Sequence, residues 1–558
     1  MRIWPLPSRR VARATALSVS AACALAACGG GGSGVSSSSS ASAVSVTAAH
    51  TFTDLVTEIP LDIDETATPD TASTELLPSW SSELVRPAGA APGPNAKLPA
   101  DGAVVPYLAT SWERDSGGSY TFQLRRGVRG DSGDPFTAED VRWSLERAVA
   151  RSPVAPFLFE LAHIDVHNPV TIINSHRVRV NVTSPSPFTL SVLASYDAGI
   201  YDRALYRLHA TASDPWGLAW GSHHSASFGA YWVAFFVPGR QIVLNANPGF
   251  WRTPWYQRVV IHAVPNPGSR LSQVLSGSAT HTSQLTWAEF QEAINVGAST
   301  GVSATVLQTG PGVIAWHLNV AHGPLANAQV RQALTLGVNR VELANGIDET
   351  FDQPDSVSIP AAFGESQPSD YDPREARSLL IAAGYPPGAL TIDIDTNNSE
   401  LQGSAAQVLG FLRDDMVEIG VNLRMSYVDN PDQLLAIEQR GAVESTIDSN
   451  TPLLGGPAFL LEELGNAAID PFSGAAQQHF ASSTLQSQLD QLRDSPGGSA
   501  TSALVATAAQ TIDSEMATVN FVAIPSQNVT RSNVTGYAAY TQPVTYYENL
   551  HPITQPSG

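Results

Sequence analysis

Between Gly102 and Ala150 the chain reads GAVVPYLATSWERDSGGSYTFQLRRGVRGDSGDPFTAEDVRWSLERAVA, and this order of residue types leaves little choice of local structure. Apolar and polar residues alternate around SYTFQL, the period of a half-buried strand. A charged turn, RRGVRGDSGDPF, comes next. Thr137 then precedes Ala138, Glu139 and Asp140, which places a capping hydroxyl and carboxylates on the first turn of a helix. Behind that cap Val141, Leu145, Ala148 and Val149 recur at helical spacing and predict one buried stripe. The stretch therefore predicts a strand, a tight turn and a capped helix.

Its wording is also distinctive. Pro106, Leu108-Ala109, Ser111-Trp112-Glu113, Tyr120-Thr121-Phe122, Leu124-Arg125, Gly127-Val128, the run from Pro135 to Val141, and Ser144-Leu145-Glu146-Arg147 stand in fixed order. In these positions the chain resembles the extracytoplasmic solute-binding proteins of ABC importers, the peptide/nickel (family 5) class. Further matches follow. They include Gly229, Tyr231, Pro238-Gly239, Ile242, Leu244, Asn247-Pro248 and Trp251, with Ala230 where proline is usual. RLSQVLSG from Arg270 to Gly277, and Val330-Arg331-Gln332-Ala333-Leu334 through Arg340, continue the likeness to about residue 540.

The resemblance implies an α/β fold of the periplasmic-binding-protein-like type II (cluster C), with two large lobes, an extra inserted subdomain and hinge strands between them. It places residues 44–78, 226–285 and 505–558 in lobe I, 79–225 in an inserted lobe II, and 286–504 in lobe III. It implies reversible, non-catalytic capture of an oligopeptide-like or similar polar solute by hinge closure, and delivery to permease and ATPase subunits. A monomer without cofactor or metal is expected. The alternative is a surface sensor or interaction lipoprotein that keeps the fold without transport.

Composition agrees with a soluble chain of two to four lobes: apolar residues make up 43% of the 558 and charged ones only 15%. A formal charge of −21 argues against nucleic acid, which needs a basic footprint. Lys97 is the sole lysine, so a P-loop lysine or a Schiff-base lysine elsewhere is excluded.

Arg2, Arg9, Arg10 and Arg13 precede an apolar run from Ala14 to Ala24, the layout of a secretory signal. Leu25-Ala26-Ala27-Cys28 then resembles a bacterial lipobox, in which Cys28 is acylated and residues 1–27 are removed. An ordinary signal peptide with an incidental Cys28 is the alternative. Gly29 to Ala43 is Gly/Ser-rich and reads as a flexible tether between lipid and body. An extracytoplasmic, lipid-anchored protein is expected. With Cys23 removed, Cys28 is the single mature cysteine, so no disulfide within the chain and no cysteine metal site is expected.

In the second half VIAWHLNV alternates as a strand, and Asn327 caps a helix VRQALTLGVNRVEL whose Val330, Leu334, Val338 and Val341 share a face. YDPREARSLLIAAGY shows Asp372 as cap, Pro373 at the first helical position and Gly384 as terminator. LGFLRDDMVEIG and VNLRMSYV read as helix and strand joined at Gly420.

Catalytic patterns are weak. Gly297-Ala298-Ser299-Thr300-Gly301 matches a nucleophile elbow in letters, but that motif follows a buried strand and here FQEAINV precedes it as a helix. A secreted hydrolase would need Ser299 in a triad. His223-His224 with His209 reads as an exposed loop rather than a metal site, and Asp62, Asp64 and Glu65 lack the spacing of a calcium loop. For the ligand, the resemblance points to Asp448 in STIDSNTP, with Asn450 beside it; relatives pair an aspartate there with the ligand ammonium. A turn cap before Pro452 is the other reading of Asp448. Asn397 and Asn398 stand where dipeptide-binding relatives carry an arginine, a departure that puts recognition of a free carboxylate in doubt. Trp287 and Trp316 are candidates for stacking on a ligand.

Overall fold

The computed structural model describes residues 48–64, 75–93, 96–98, 103–348, 353–354, 371–397, 404–428, 440–450, 456–465, 482–495, 499–540 and 544–553, together with Leu434, Ile437 and Leu454. Within the opening stretch, Tyr120–Leu124 is a strand with alternate residues buried. It pairs antiparallel with Ala109–Arg114 on one side and Arg177–Val180 on the other, and Val170–Asn174 completes a four-stranded sheet. The helix α1 (Ala138–Arg151) follows as expected. The Asp140 carboxylate accepts from the Thr137 amide and hydroxyl, both at 2.8 Å, and Val141, Leu145 and Ala148 are buried.

A larger sheet runs through the rest of the molecule. Its strands in chain order are β1 (Thr51–Val56), β2 (Tyr231–Val237), β3 (Gln241–Ala246), β4 (Arg258–Ala263), β5 (His281–Thr282), β6 (Val302–Leu318), β7 (Leu390–Asn397), β8 (Val421–Val428), β9 (Ser445–Asn450) and β10 (Thr518–Arg531). They lie side by side as β8-β7-β9-β6-β10-β5-β1-β4-β3-β2, with Gln353–Pro354 pairing off this path to β10. The order divides into two half-sheets that share the antiparallel pair β6 and β10.

That pair is the crossing between the halves. Val302–Val306 lies against Gln527–Arg531, where β10 also holds β5, and Val313–Leu318 continues the ladder where β6 also holds β9. Register shifts fall between Val306 and Gln308, between Thr309 and Gly312, and between Ile314 and Ala315. Gly310-Pro311-Gly312 on one strand and Pro525 on the other explain the irregularity, since proline donates nothing to a ladder and glycine stiffens nothing.

Helices cover the half-sheets. α2 (Pro267–Leu275) and α3 (Trp287–Thr300) pack on one half, with Leu271, Val274, Phe290 and Ala293 against Leu55, Val302, Val306 and Val529. α3 begins just past the lobe I limit expected at residue 285, yet shares this core with β1 and α2. The other half carries α4 (Ala328–Gly337), α5 (Pro373–Ala382) and α6 (Ser404–Ile419) around Trp316, Leu334, Leu380, Leu412 and Ile447. Asn327 and Asp372 cap α4 and α5 as expected, and Gly384 has φ +94°. The single helix expected from Val330 to Leu343 is two: α4 ends at Gly337, and Arg340–Asp348 starts anew. Val338 is extended there, the Asn339 amide donates to Asp415 at 2.8 Å, and Arg340 turns inward to the Thr335 and Asn520 carbonyls. Val341 consequently stands outside, 53% exposed.

Between β9 and β10 lie α7 (Pro457–Gly465), α8 (Ser483–Arg493) and α9 (Ser499–Glu515). Their apolar residues, from Leu454 through Phe459, Leu485 and Leu492 to Ile512, do not join the core of β6–β9. They are continuous with the large core that contains α1, the four-stranded sheet and β1–β4.

Candidate functional site

Strand polarity locates the site. β1 runs parallel to β4 and β5, so their carboxyl ends at Val56, Ala263 and Thr282 share one edge. β7 runs parallel to β8 and β9, so Asn397, Val428 and Asn450 share another. Thr282 pairs with Val529 and Asn450 with Val313, so both edges face the shifted middle of β6 and β10. Ligands of open α/β sheets bind outside the carboxyl ends of the strands, because the loops that leave there converge on one crevice. Here two such edges meet at a crossing whose register shifts.

On the first edge the polar groups are linked. The Thr57 hydroxyl donates to Gln284 Oε1 at 2.8 Å, and the Gln284 amide donates to the half-buried Glu75 carboxyl. The Leu285 amide donates to Gln527 Oε1 at 3.0 Å, tying the edge to the crossing strand. Gln284 has φ +53° and its carbonyl accepts from Arg270 at 2.6 Å. Burial pushes the Glu75 carboxyl up to about 8, and Asp54 and Glu58 add to this, while Gln284 and Arg270 act in the opposite sense. Because folding raises this carboxyl above its usual 4.5, its contribution to stability is greatest in acid and is lost as pH rises through about 8. Thermal unfolding across pH 5–9 is therefore expected to show Glu75→Gln close to the wild type near pH 5, gaining on it as pH rises to about 8, and keeping a constant lead above that. Parallel curves would sink the assignment.

The residues singled out from sequence divide. Asp448 and Asn450 lie on β9, paired with Ala315 and Val313, and Asn397 ends β7, so these three backbone positions share the second edge. Asp448 thus sits within a strand, not in a turn. Asn398 and Cys28 lie outside the described residues. Trp287 is the first residue of α3, three positions beyond Gln284, half-buried and 5.8 Å from the Phe290 ring. Trp316 is a correction: it is wholly buried among Leu318, Leu334 and Ile447 and has no face left for a ligand. The alternation of VIAWHL puts it on the core side of β6. Thr57, Glu75, Gln284 and Gln527 were missed by sequence reasoning. A polar residue directly after a short strand, as Thr57 after TFTDLV, is the signal that could have found one of them.

Other motifs take structural places. Ser299 is in the last turn of α3, donating to the Val296 carbonyl at 2.8 Å, and Gly301 ends the helix at φ +68°. His209 and His224 both stack on Trp220, at 4.5 and 4.9 Å between ring centres. Asp64 is buried and forms a two-pronged ion pair with Arg147, while Asp62 accepts from the Asp64 amide at 2.7 Å. Glu65 lies outside the described residues. Among the described residues no group of three or more His, Cys, Asp or Glu is placed to hold a metal, and no helix is long and apolar enough to cross a membrane.

Residues 103–469 match the family described as bacterial extracellular solute-binding proteins, family 5 Middle. The chain belongs to this family. Its curated relatives include the glutathione-binding protein GsiB of Salmonella choleraesuis, 24% identical over 343 residues, 60% of this chain and 62% of the relative. They also include the peptide transport periplasmic protein SapA of Salmonella typhimurium, 25% identical over 340 residues, 57% of this chain and 61% of the relative. The matched part thus spans less than two thirds of these relatives' lengths. Among solved structures, the periplasmic binding protein DppA from Helicobacter pylori in complex with the peptide STSA superposes with a TM-score of 0.76 at 18% identity, covering 90% of this chain and 98% of that one. That likeness bears on the fold, which is the two-lobed, type II binding-protein arrangement expected from sequence.

Proposed function

We propose that this family 5 protein captures a small peptide-like or similarly polar solute in the crevice between its half-sheets and passes it, unaltered, to the permease and ATPase subunits of an ABC importer. The observation that carries the reading is the convergence of two carboxyl-terminal strand edges on a bulged two-strand crossing. Closing such a crevice expels water, and polar contacts made inside it strengthen as the local dielectric falls. A solute that touches both edges binds the closed arrangement better and shifts the population towards it. The names of GsiB and SapA and the peptide held by DppA support a peptide-like ligand. Asp448, Asn450, Asn397 and Asn398 from one side, and Thr57, Glu75, Gln284 and Trp287 from the other, are the contacts of this reading.

In this reading the lobe limits follow the crossing, with 307–312 and 523–527 as the hinge and 79–225 inserted in the first half. Cys28 carries the lipid anchor behind the tether 29–43, and the body works as a monomer. Replacing Cys28 by Ser is expected to release the protein from the membrane fraction, read by fractionation and intact mass. The main test is small-angle scattering of that variant with a mixture of tri- and tetrapeptides. The radius of gyration is expected to fall on binding; an unchanged radius with peptide bound, seen by native mass spectrometry, would overturn the hinge.

A further inference from the structure

Phe188 precedes the short helix Thr189–Leu193 of the inserted body, and Phe459 lies on α7, which follows β9 of the opposite half-sheet. The two rings meet nearly edge-on, at 78° and 6.5 Å between centres, and each residue is only 1% exposed. Around this contact the apolar residues of α7, α8 and α9 run into the core of the inserted body, although α7 and α9 are covalently joined to the strands of the other half. By contrast the core under β6–β9 is separate. A layer that leaves one half-sheet, returns to the crossing strand β10, and is cored with the other half bridges the two.

We propose that Phe188 and Phe459 form an apolar catch that holds the layer α7–α9 of one half against the inserted body of the other, so that closure is favoured before any solute adds its contacts. The proposal rests on the capture reading and names a regulator of it. An edge-to-face aromatic pair stabilises beyond its buried area because the positive ring edge meets a negative face. A contact present only in the closed arrangement raises the closed fraction, and the apparent affinity for solute rises with that fraction. Opening would expose both rings to water, which sets the direction of the bias.

The test is hydrogen–deuterium exchange on the full chain, comparing wild type with Phe459→Ala and Phe459→Leu. If the catch operates, Phe459→Ala speeds exchange in residues 186–193, on the other side of the contact, by roughly threefold to tenfold, the range an aromatic pair supplies. Phe459→Leu, which keeps volume but loses the ring, gives a smaller change in the same segment. Exchange in α1 is the control and stays as in the wild type; acceleration there too would mean general loosening and would overturn the proposal. Acceleration confined to α7 to α9 would overturn it as well. A separate arm adds the peptide mixture to the wild type and reads residues 281–287 and 518–531. Absence of protection there counts against peptide capture and leaves the exchange across the catch as an independent result.

Discussion

Arg86→Ala is expected to lower the unfolding free energy by about 3–5 kcal/mol, the cost of leaving buried carboxylates without their cation. Arg86 is 5% exposed and has many partners. Its guanidinium donates to Glu83 at 3.1 Å, to Glu548, and to the Pro78 and Ser81 carbonyls at 3.2 and 3.3 Å. The rings of Tyr107 and Tyr546 lie over its faces at 3.8 and 4.2 Å. These contacts pin the C-terminal segment, through Tyr546 and Glu548, to the entrance of the inserted body. Glu83 is already raised by burial, against the pull of Arg86, so removing the cation pushes its carboxyl further towards the protonated form. Urea unfolding is the measurement. A loss under about 1 kcal/mol would show the cluster to be solvated. A triple variant, Arg86→Met with Glu83→Gln and Glu548→Gln, is expected to recover most of the loss, since uncharged groups of like volume avoid the desolvation penalty.

Asp197→Asn is expected to stabilise the protein at neutral pH and to do nothing in acid. Asp197 is 5% exposed and its Oδ2 has no hydrogen-bond partner. Burial pushes this carboxyl from its usual 3.8 to about 7, against its own backbone amide and the Ser195 hydroxyl, which favour the ionised form. Folding thus prefers the proton. The stability this gives is complete below about pH 4 and is lost as pH rises to about 7, to a total of up to about 4 kcal/mol. The amide cannot ionise and escapes the loss. Unfolding midpoints should diverge between pH 4 and 7, with the variant higher, and stay apart above. A variant that is less stable at every pH would show that the carboxylate is solvated or paired as the chain stands.

Local patterns carried much of the architecture. The strand at Tyr120, the caps at Thr137, Asn327 and Asp372, and the left-handed stop at Gly384 rest on contacts between residues a few positions apart, which a sequence displays directly. What failed depended on distant partners. Nothing near Asn339 announces that Asp415 will take its amide and Arg340 will turn inward to β10, and these break the expected helix. Trp316 stands in an alternating strand, where an aromatic residue has two possible faces. Only the helices packed from elsewhere decide which of them is dry. The two-lobed arrangement was foreseeable from the resemblance, whereas Glu75, Gln284 and Gln527 come together from segments more than 200 residues apart. No spacing rule reaches that far.

The pair β6 and β10 joins the halves as a single hydrogen-bonded ribbon. Such a ribbon resists stretching, because elongation would break several peptide hydrogen bonds at once, but it twists easily where its register slips. In the proposed closure, relative travel of the halves is thereby confined to rotation about one line near residues 307–312 and 523–527. Sliding apart is costly; swivelling is cheap. In that motion the energy of opening is governed by about twenty backbone torsions, two per residue of this segment less the fixed φ of Pro311 and Pro525, and by contacts such as Phe188–Phe459 that join the halves elsewhere, so variants there should tune opening without altering the axis.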